Sequence, residues 1–155
     1  MKVLFLDVDG VLNSRRSAVA FGKFPWDVEP ADLPLFDNVA IGFIRKLCKE
    51  TGCKIVLSST WRGKEGMTEK IARVLDLPII DKTPHKIAGK RGHEIQAWLD
   101  AMAGRHPELQ TAGIDYAIVD DDSDMLEDQK PFFVQTCGQD GFLLKHYDAL
   151  LEILK

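Results

Sequence analysis

Four short apolar runs recur along the chain, and each is bounded by polar or turn-forming residues. They occupy residues 3–6, 55–57, 116–119 and 132–134. Continuous apolar runs of this length are typical of strands that are buried on both faces, as in a parallel sheet. The pattern therefore predicts four strands.

Helical periodicities lie between and after these runs. The first has an apolar residue at every fourth position, and the second follows the i, i+3, i+4, i+7 pattern. The third begins after the last predicted strand. Their apolar positions are Val39, Phe43 and Leu47; Ile95, Trp98, Leu99 and Met102; and Leu144, Tyr147, Leu151 and Leu154. We expect these positions, Trp98 among them, to face the core.

Strands and helices therefore alternate along the sequence, which predicts an α/β fold of the Rossmann-like, doubly wound type with a mainly parallel sheet. Two segments interrupt the alternation, residues 14–37 and 78–92. Their prolines and glycines predict loops or small inserts. Because no repeat or linker divides the sequence, we expect a single domain over residues 1–155.

The composition narrows the range of functions. The 155 residues are 45% apolar and carry a formal charge of −4, which excludes a general basic surface for nucleic acid, so a polyanion would have to be bound locally. No apolar stretch approaches the ~20 residues of a membrane span. The three cysteines lack the spacing of a metal site. We expect a cytoplasmic protein with reduced thiols and no membrane partner.

Oxygen-bearing side chains follow three of the predicted strands, at the edge where open α/β sheets bind ligands. The segments are Asp7-Val8-Asp9-Gly10, Ser58-Ser59-Thr60 and Asp120-Asp121-Asp122. Clustered carboxylates repel one another unless a cation neutralises them, and hard oxygen ligands suit Mg²⁺. The sequence therefore predicts a magnesium site at this edge.

The same residues suggest phosphoryl chemistry. A carboxylate beside Mg²⁺ can attack phosphorus, which makes Asp7 the candidate nucleophile, and Asp9 is placed to exchange a proton with the leaving oxygen. Gly10 allows a sharp turn that leaves backbone N–H groups free for the phosphate. The Ser58 hydroxyl is a candidate phosphate donor. A cation ahead of the Ile95 helix, either Lys90 or Arg91, is expected to hold the phosphate.

An EF-hand calcium loop is the main competing interpretation of the first segment. Such a loop needs an acid at position 5 and a glycine at position 6, but Val11 and Leu12 stand there. The two other strand ends add further weight to the catalytic interpretation.

Taken together, these segments resemble the motifs of the haloacid dehalogenase (HAD) superfamily. Its DxDGxL motif is present as residues 7–12, its strand ending in Ser or Thr as residues 55–58, and its paired acids as Asp120-Asp121. The resemblance implies an aspartyl-phosphate intermediate on Asp7 and Mg²⁺ held by Asp7, the Asp9 carbonyl and a later acid. We favour Asp121 as that ligand, with Asp120 supporting it and Asp124 as an alternative, and Arg91 over Lys90 as the cation.

Residues 58–62, 91–95 and 119–122 are more narrowly similar to small HAD domains of phages and bacteria, some of them associated with nucleic-acid end repair. Ser59, Trp61 and Arg62 would then contact the substrate, although Trp61 could equally cover the core and Arg62 be solvated. The insert after the first motif offers a substrate entrance, or else packs onto the body, through Arg15, Arg16, Phe21, Phe24 and Trp26.

The function predicted from the sequence is a Mg²⁺-dependent phosphomonoester hydrolase with an open site, because the insert is too short for a large lid. We expect the phosphorylated substrate to be a nucleotide or a polynucleotide end. The alternatives are a phosphatase of small metabolites or phosphoproteins, and a non-catalytic binding module with the same fold.

Overall fold

The structure is a computed structural model that describes residues 1–85 and 90–155, apart from the side chain of Thr111. Its centre is a five-stranded, fully parallel sheet with the order β3-β2-β1-β4-β5. The strands are β1 Lys2–Leu6, β2 Lys54–Leu57, β3 Ile79–Lys82, β4 Asp115–Asp120 and β5 Phe133–Gln135. The predicted α/β, Rossmann-like fold is confirmed.

Helices cover both faces of this sheet. The α-helices are α1 Arg15–Phe21, α2 Asn38–Thr51, α3 Met67–Val74, α4 Arg91–Arg105, α5 Pro107–Ala112 and α6 Leu144–Leu154. Three 3₁₀ helices, Leu33–Leu35, Thr60–Gly63 and Glu127–Phe132, lie in the connections.

Alternate residues of β1 face the two halves of the core. Leu4 and Leu6 pack with the apolar faces of α2, α3 and α6, whereas Val3 and Phe5 pack with α4. The predicted face of α4 is confirmed, since Ile95 and Trp98 are buried there. Because both faces of the sheet are covered, only the ends of the strands remain open to a ligand.

Two predicted helix faces are partly wrong. Val39 is 67% exposed in α2, because the buried stripe of that helix runs through Ala40, Ile41 and Ile44. In α6 Leu144 is 57% exposed, and Leu150 is buried instead. Apolar residues flanking a stripe satisfy the same spacing rule, so periodicity alone misplaced the helix face by about one position.

The predicted loop 78–92 contains the edge strand β3. Only two apolar residues, Ile79 and Ile80, mark this strand, and its residues alternate between half-buried and exposed. An edge strand needs no continuous apolar run, which is why the sequence pattern missed it. Residues 86–89 of the same predicted loop lie outside the described part of the chain. The apolar run 132–134 was predicted as a strand, but Phe132 belongs to a 3₁₀ helix and β5 begins at Phe133.

The predicted insert, residues 14–37, is partly helical. Helix α1 begins with a capping box in which the side chains of Ser14 and Ser17 each bond the backbone of the other. The three cysteines are free thiols, with the Sγ atoms of Cys48 and Cys53 3.7 Å apart. Within the described residues, none of the helices combines the length and apolar character that a membrane crossing requires.

Candidate active site

The carboxyl ends of three central strands meet at one edge, as predicted. The Asp7 N–H donates to the Val119 carbonyl at 3.1 Å, and the Ser58 N–H donates to the Leu6 carbonyl at 3.0 Å. These bonds continue the ladders of β1 with β4 and with β2. The sheet thereby fixes Asp7 between the ends of its two neighbouring strands.

Three carboxylates converge at this edge, and we call Asp7, Asp120 and Asp121 the carboxylate cluster. One oxygen of each lies within 4.8 Å of the others. Asp7 and Asp120 are buried, and Asp120 Oδ2 has no hydrogen-bond partner in the described structure. Arg91 Nη1 lies 3.4 Å from this oxygen, but one guanidinium offsets only part of the charge of three carboxylates, which favours a further cation beside them. The cluster therefore fits a hard divalent ion such as Mg²⁺.

Burial disturbs the protonation of the cluster. It raises the pKa of Asp7 and that of Asp120, because a charged carboxylate loses its hydration there, and each of the two carboxylates also feels acidic neighbours. Arg91 opposes these shifts. Its Nη1 lies 3.5 Å from Asp7 Oδ1 and 3.4 Å from Asp120 Oδ2, and it donates to the Ser58 carbonyl.

Of the two candidate cations, Lys90 and Arg91, the geometry favours Arg91. Lys90 is exposed at the N-cap of α4, whereas Arg91 reaches into the carboxylate cluster. Asp124 explains the position of the helix: its Oδ2 accepts the Arg91 N–H at 2.9 Å, and its carbonyl accepts the Gly92 N–H at 3.2 Å. Asp124 therefore anchors α4, and Asp122 is exposed, so neither joins the cluster.

A second set of bonds locks the start of α4 to the loop after β4. The buried Gln129 side chain donates to the Gly92 carbonyl at 2.8 Å and accepts the Leu126 N–H at 3.0 Å. Gly92 permits this contact, since a Cβ at that position would lie 2.6 Å from the Leu126 backbone nitrogen. Arg91 is thus held by the packing of its neighbour.

The Asp9 carboxylate lies at the exposed side of the site, and two donors orient it. Asn13 Nδ2 donates to Oδ1 at 3.0 Å, and Trp61 Nε1 donates to Oδ2 at 3.0 Å. Trp61 is itself fixed by an edge-on contact with Phe36. The orientation of Asp9 therefore depends on an aromatic residue 52 positions away in the sequence.

The chain turns at Gly10 directly after β1, and hydrogen bonds fix this turn. The Gly10 N–H donates to Asn13 Oδ1 at 3.3 Å, and its carbonyl accepts from Thr136 at 2.8 Å. With φ at 79°, Gly10 adopts a left-handed conformation, and a Cβ there would lie 2.3 Å from Asp121 Oδ2. The glycine makes room for the third carboxylate.

The two serines after β2 have different environments. Ser58 Oγ is buried and has no hydrogen-bond partner among the described residues. Ser59 Oγ accepts the Trp61 N–H at 3.2 Å and caps the following 3₁₀ helix. Ser59 thus has a local capping role, and its predicted contact with the substrate stays a prediction.

Arg62 also departs from the prediction of a substrate contact, since its guanidinium points into the protein. It forms an ion pair with the buried Glu94 side chain and donates to backbone carbonyls. The carbonyls belong to Ser58, Ser59, Thr83 and Pro84. Burial lowers the pKa of Arg62 to about 10, which leaves it charged at neutral pH. Arg62 thus ties the ends of β2 and β3 to α4.

A pocket of about 560 Å³ opens beside the carboxylates. Asp9, Gly10, Asp121 and Trp61 belong to its lining. Of the residues predicted as a substrate entrance, Phe24 and Trp26 line this pocket, whereas Arg15 and Arg16 line a separate groove beside α1. Phe21 is absent from the described lining of either pocket.

Several residues of the site were not predicted as such. Asn13, Gln129 and Thr136 act through hydrogen bonds to residues of the site, and Glu94 acts through Arg62. Of these residues, only Glu94 could have been suspected from the sequence, because it is an acid in the first turn of a helix whose inner face is apolar. The amide and hydroxyl side chains follow no periodicity that would mark them.

Comparison with known proteins yields one match. The family model described as "HAD domain in Swiss Army Knife RNA repair proteins" matches residues 3–147, which includes every residue of the site. No curated protein and no solved structure matches the chain.

Proposed function

Given that the chain belongs to the family of HAD domains in Swiss Army Knife RNA repair proteins, we propose that it is a Mg²⁺-dependent phosphomonoester hydrolase. The main support for this proposal is the carboxylate cluster, together with Arg91 and the unpaired Ser58 hydroxyl. A candidate nucleophile, a guanidinium and an unpaired hydroxyl therefore lie together at one edge of the sheet. This combination suits a phosphate group.

In the first half of the proposed reaction, a carboxylate oxygen of Asp7 attacks phosphorus. The bond between phosphorus and the ester oxygen breaks, and Asp9 gives its proton to that leaving oxygen. Ser58 Oγ donates a hydrogen bond to a phosphoryl oxygen, and Arg91 offsets the negative charge. The product of this half is an aspartyl phosphate on Asp7 and a free alcohol.

In the second half, water attacks the phosphorus of the aspartyl phosphate. Asp9 takes the proton of this water, and the acyl phosphate bond breaks to release inorganic phosphate and the Asp7 carboxylate. The hydrogen bonds from Asn13 and Trp61 hold Asp9 at the same place for both proton transfers.

Asp7, Asp121 and the backbone carbonyl of Asp9 would hold Mg²⁺, with Asp120 next to them. When bound, the ion supplies charge compensation for the phosphoryl oxygens.

We further propose that the substrate is a nucleotide or the terminal phosphate of a polynucleotide. The family description supports this, because it refers to RNA repair proteins. The pocket beside Asp9 also supports it, because its aromatic wall suits a base. The net charge of −4 favours local recognition of an end over binding along a strand.

The test is phosphate release from 3′- and 5′-phosphorylated RNA oligonucleotides, nucleoside monophosphates and sugar phosphates, with Mg²⁺ and with EDTA. We expect Mg²⁺-dependent release that Asp7→Asn lowers at least about 10³-fold without unfolding the protein. Asp122→Asn is the matched control, because this exposed acid of the same segment lies outside the cluster, and it should retain activity.

Two results would contradict the proposal. If no phosphorylated compound is hydrolysed in a Mg²⁺-dependent way, the chain is a non-catalytic module. If Asp7→Asn and Asp122→Asn are equally active, Asp7 is not the nucleophile. Preference for sugar phosphates over all nucleotides and oligonucleotides would reject the substrate class alone.

A further inference from the structure

The leaving group of the proposed reaction must lie in the pocket beside the carboxylates. Asp9 protonates the leaving oxygen, so the alcohol to which that oxygen belongs lies on the Asp9 side of the phosphate. Asp9, Gly10 and Asp121 all line the pocket. Its volume of about 560 Å³ falls within the ~300–1,000 Å³ typical of small-ligand sites.

The walls of the pocket are mainly apolar and aromatic. Phe24, Pro25 and Trp26 of the insert contribute to its lining, and so do Trp61 and Met67 from the body. A sugar or a short polyol would leave these surfaces without a suitable partner. A flat ring system would bury them, because aromatic side chains stack on any nucleobase.

The two tryptophans of the pocket differ in the contacts that hold their side chains. Trp61 is held by its bond to Asp9 and by its edge-on contact with Phe36. Trp26 is 80% exposed and packs against no other aromatic ring within the described ranges. An indole left in water beside a reaction site gains most from a ligand that covers it.

Ion pairs hold the Trp26 segment near the body. Asp27, the next residue, lies 2.9 Å from Lys70 Nζ and 3.3 Å from Lys64 Nζ, and Glu29 also pairs with Lys70. Lys70 belongs to α3, and Lys64 lines the pocket. The backbone beside Trp26 is thus attached to the body before any ligand binds, which lowers the entropy lost on binding.

From these contacts, and resting on the proposed function, we infer that the pocket binds the nucleobase of the nucleoside whose hydroxyl carries the phosphate, with Trp26 as the stacking residue. The ligand class is a nucleoside phosphate, either a free nucleotide or the last nucleotide of a strand. Trp26 is then a specificity residue that distinguishes such esters from phosphates without a base.

The experiment compares kcat/KM for adenosine 5′- and 3′-monophosphate, a phosphorylated oligoadenylate and glycerol phosphate. Removing one stacking contact lowers binding by about 5- to 150-fold. We expect Trp26→Ala to lower kcat/KM for the adenosine compounds by a factor in this range, mainly through KM, and to affect glycerol phosphate far less. Trp26→Phe should restore most of the loss.

Phe21→Ala is the matched control. Phe21 is a second exposed aromatic of the insert, but it is absent from the described lining of the pocket, so this change should leave all four activities as they are. The ratio of monophosphate to oligoadenylate activity distinguishes a free nucleotide from a strand end as the source of the base.

A binding measurement separates this inference from the proposed function. Fluorescence anisotropy of a labelled, phosphorylated oligoadenylate is measured on Asp7→Asn with and without Trp26→Ala. Weaker binding with Trp26→Ala supports the base pocket even if no substrate is ever hydrolysed. Equal losses on glycerol phosphate and adenosine compounds, or unchanged binding beside normal hydrolysis, would overturn it.

Discussion

Gly92→Ala should destabilise this protein, although general helix preferences predict the opposite. Gly92 lies in the first turn of α4, and alanine is preferred over glycine inside a helix by up to about 1 kcal/mol. A Cβ at this position would lie 2.6 Å from the Leu126 backbone nitrogen and 3.0 Å from the Asp124 carbonyl oxygen. Backbone atoms cannot rotate away as a side chain can, so the helix or the loop has to move.

The size of the effect follows from the contacts that would shift. Overpacking of this kind costs about 1–3 kcal/mol. The displaced helix would also strain two hydrogen bonds of Gly92, one to Asp124 and one from Gln129, each worth about 1 kcal/mol. After subtracting the helix preference, we expect a net loss of about 2–4 kcal/mol, or a decrease in Tm of about 4–16 °C for a chain of this length.

Gly104→Ala provides the matched control in the same helix. A Cβ at Gly104 would contact nothing within 4 Å, so alanine should keep its ordinary advantage there and raise Tm by a few degrees. Thermal and urea unfolding of the two variants measure both signs. Because Gly92 adjoins Arg91, its variant should also lose phosphatase activity. If Gly92→Ala is as stable as Gly104→Ala, the close packing of α4 on the loop is wrong.

Three further predictions concern the ion pair, the acid and the carboxylate cluster. Arg62→Met should lower the free energy of unfolding by about 3–5 kcal/mol in urea, because it leaves the buried Glu94 carboxylate without a cation. A loss of activity at unchanged stability would contradict this. Trp61→Phe keeps the ring but removes the bond to Asp9, so kcat should fall about tenfold and the pH profile of kcat should shift, whereas a change in KM alone would refute a positioning role. Burial raises the pKa of Asp7 from 3.8 to about 6, so between these values the folded protein binds more protons than the unfolded chain. Without metal, Tm should therefore fall as pH rises through this range. Mg²⁺ binds the ionised cluster, and the rise in Tm that it causes should be larger at pH 8 than at pH 5.

The strand ends could be predicted from the sequence because parallel strands share a direction. Once residues 3–6, 55–57 and 116–119 were identified as strands, the residues after them had to meet at one edge. The register confirms this, since Leu6 pairs with both Leu57 and Val119. The positions of Asp7, Ser58 and Asp120 therefore followed from topology alone.

Arg62 shows why the rest could not be predicted. Four carbonyl groups surround its guanidinium, from residues up to 22 positions away. Because every residue has a backbone carbonyl, no sequence pattern can predict which carbonyls will accept hydrogen bonds from Arg62. The same holds for Asn13 and Trp61 around Asp9, whose proximity depends on how the loops pack after the sheet has formed.

The position of β1 at the centre of the sheet has a consequence for synthesis of the protein. Asp120 follows Asp7 by 113 residues during synthesis, and β1 can pair with β4 only once β4 has been made. Contacts across such long sequence separations slow folding. A nascent chain that contains Asp7 therefore remains without Asp120 and Asp121 until the segment after β4 has been translated. During that interval β1 exposes an unpaired edge, which makes incomplete chains prone to aggregate.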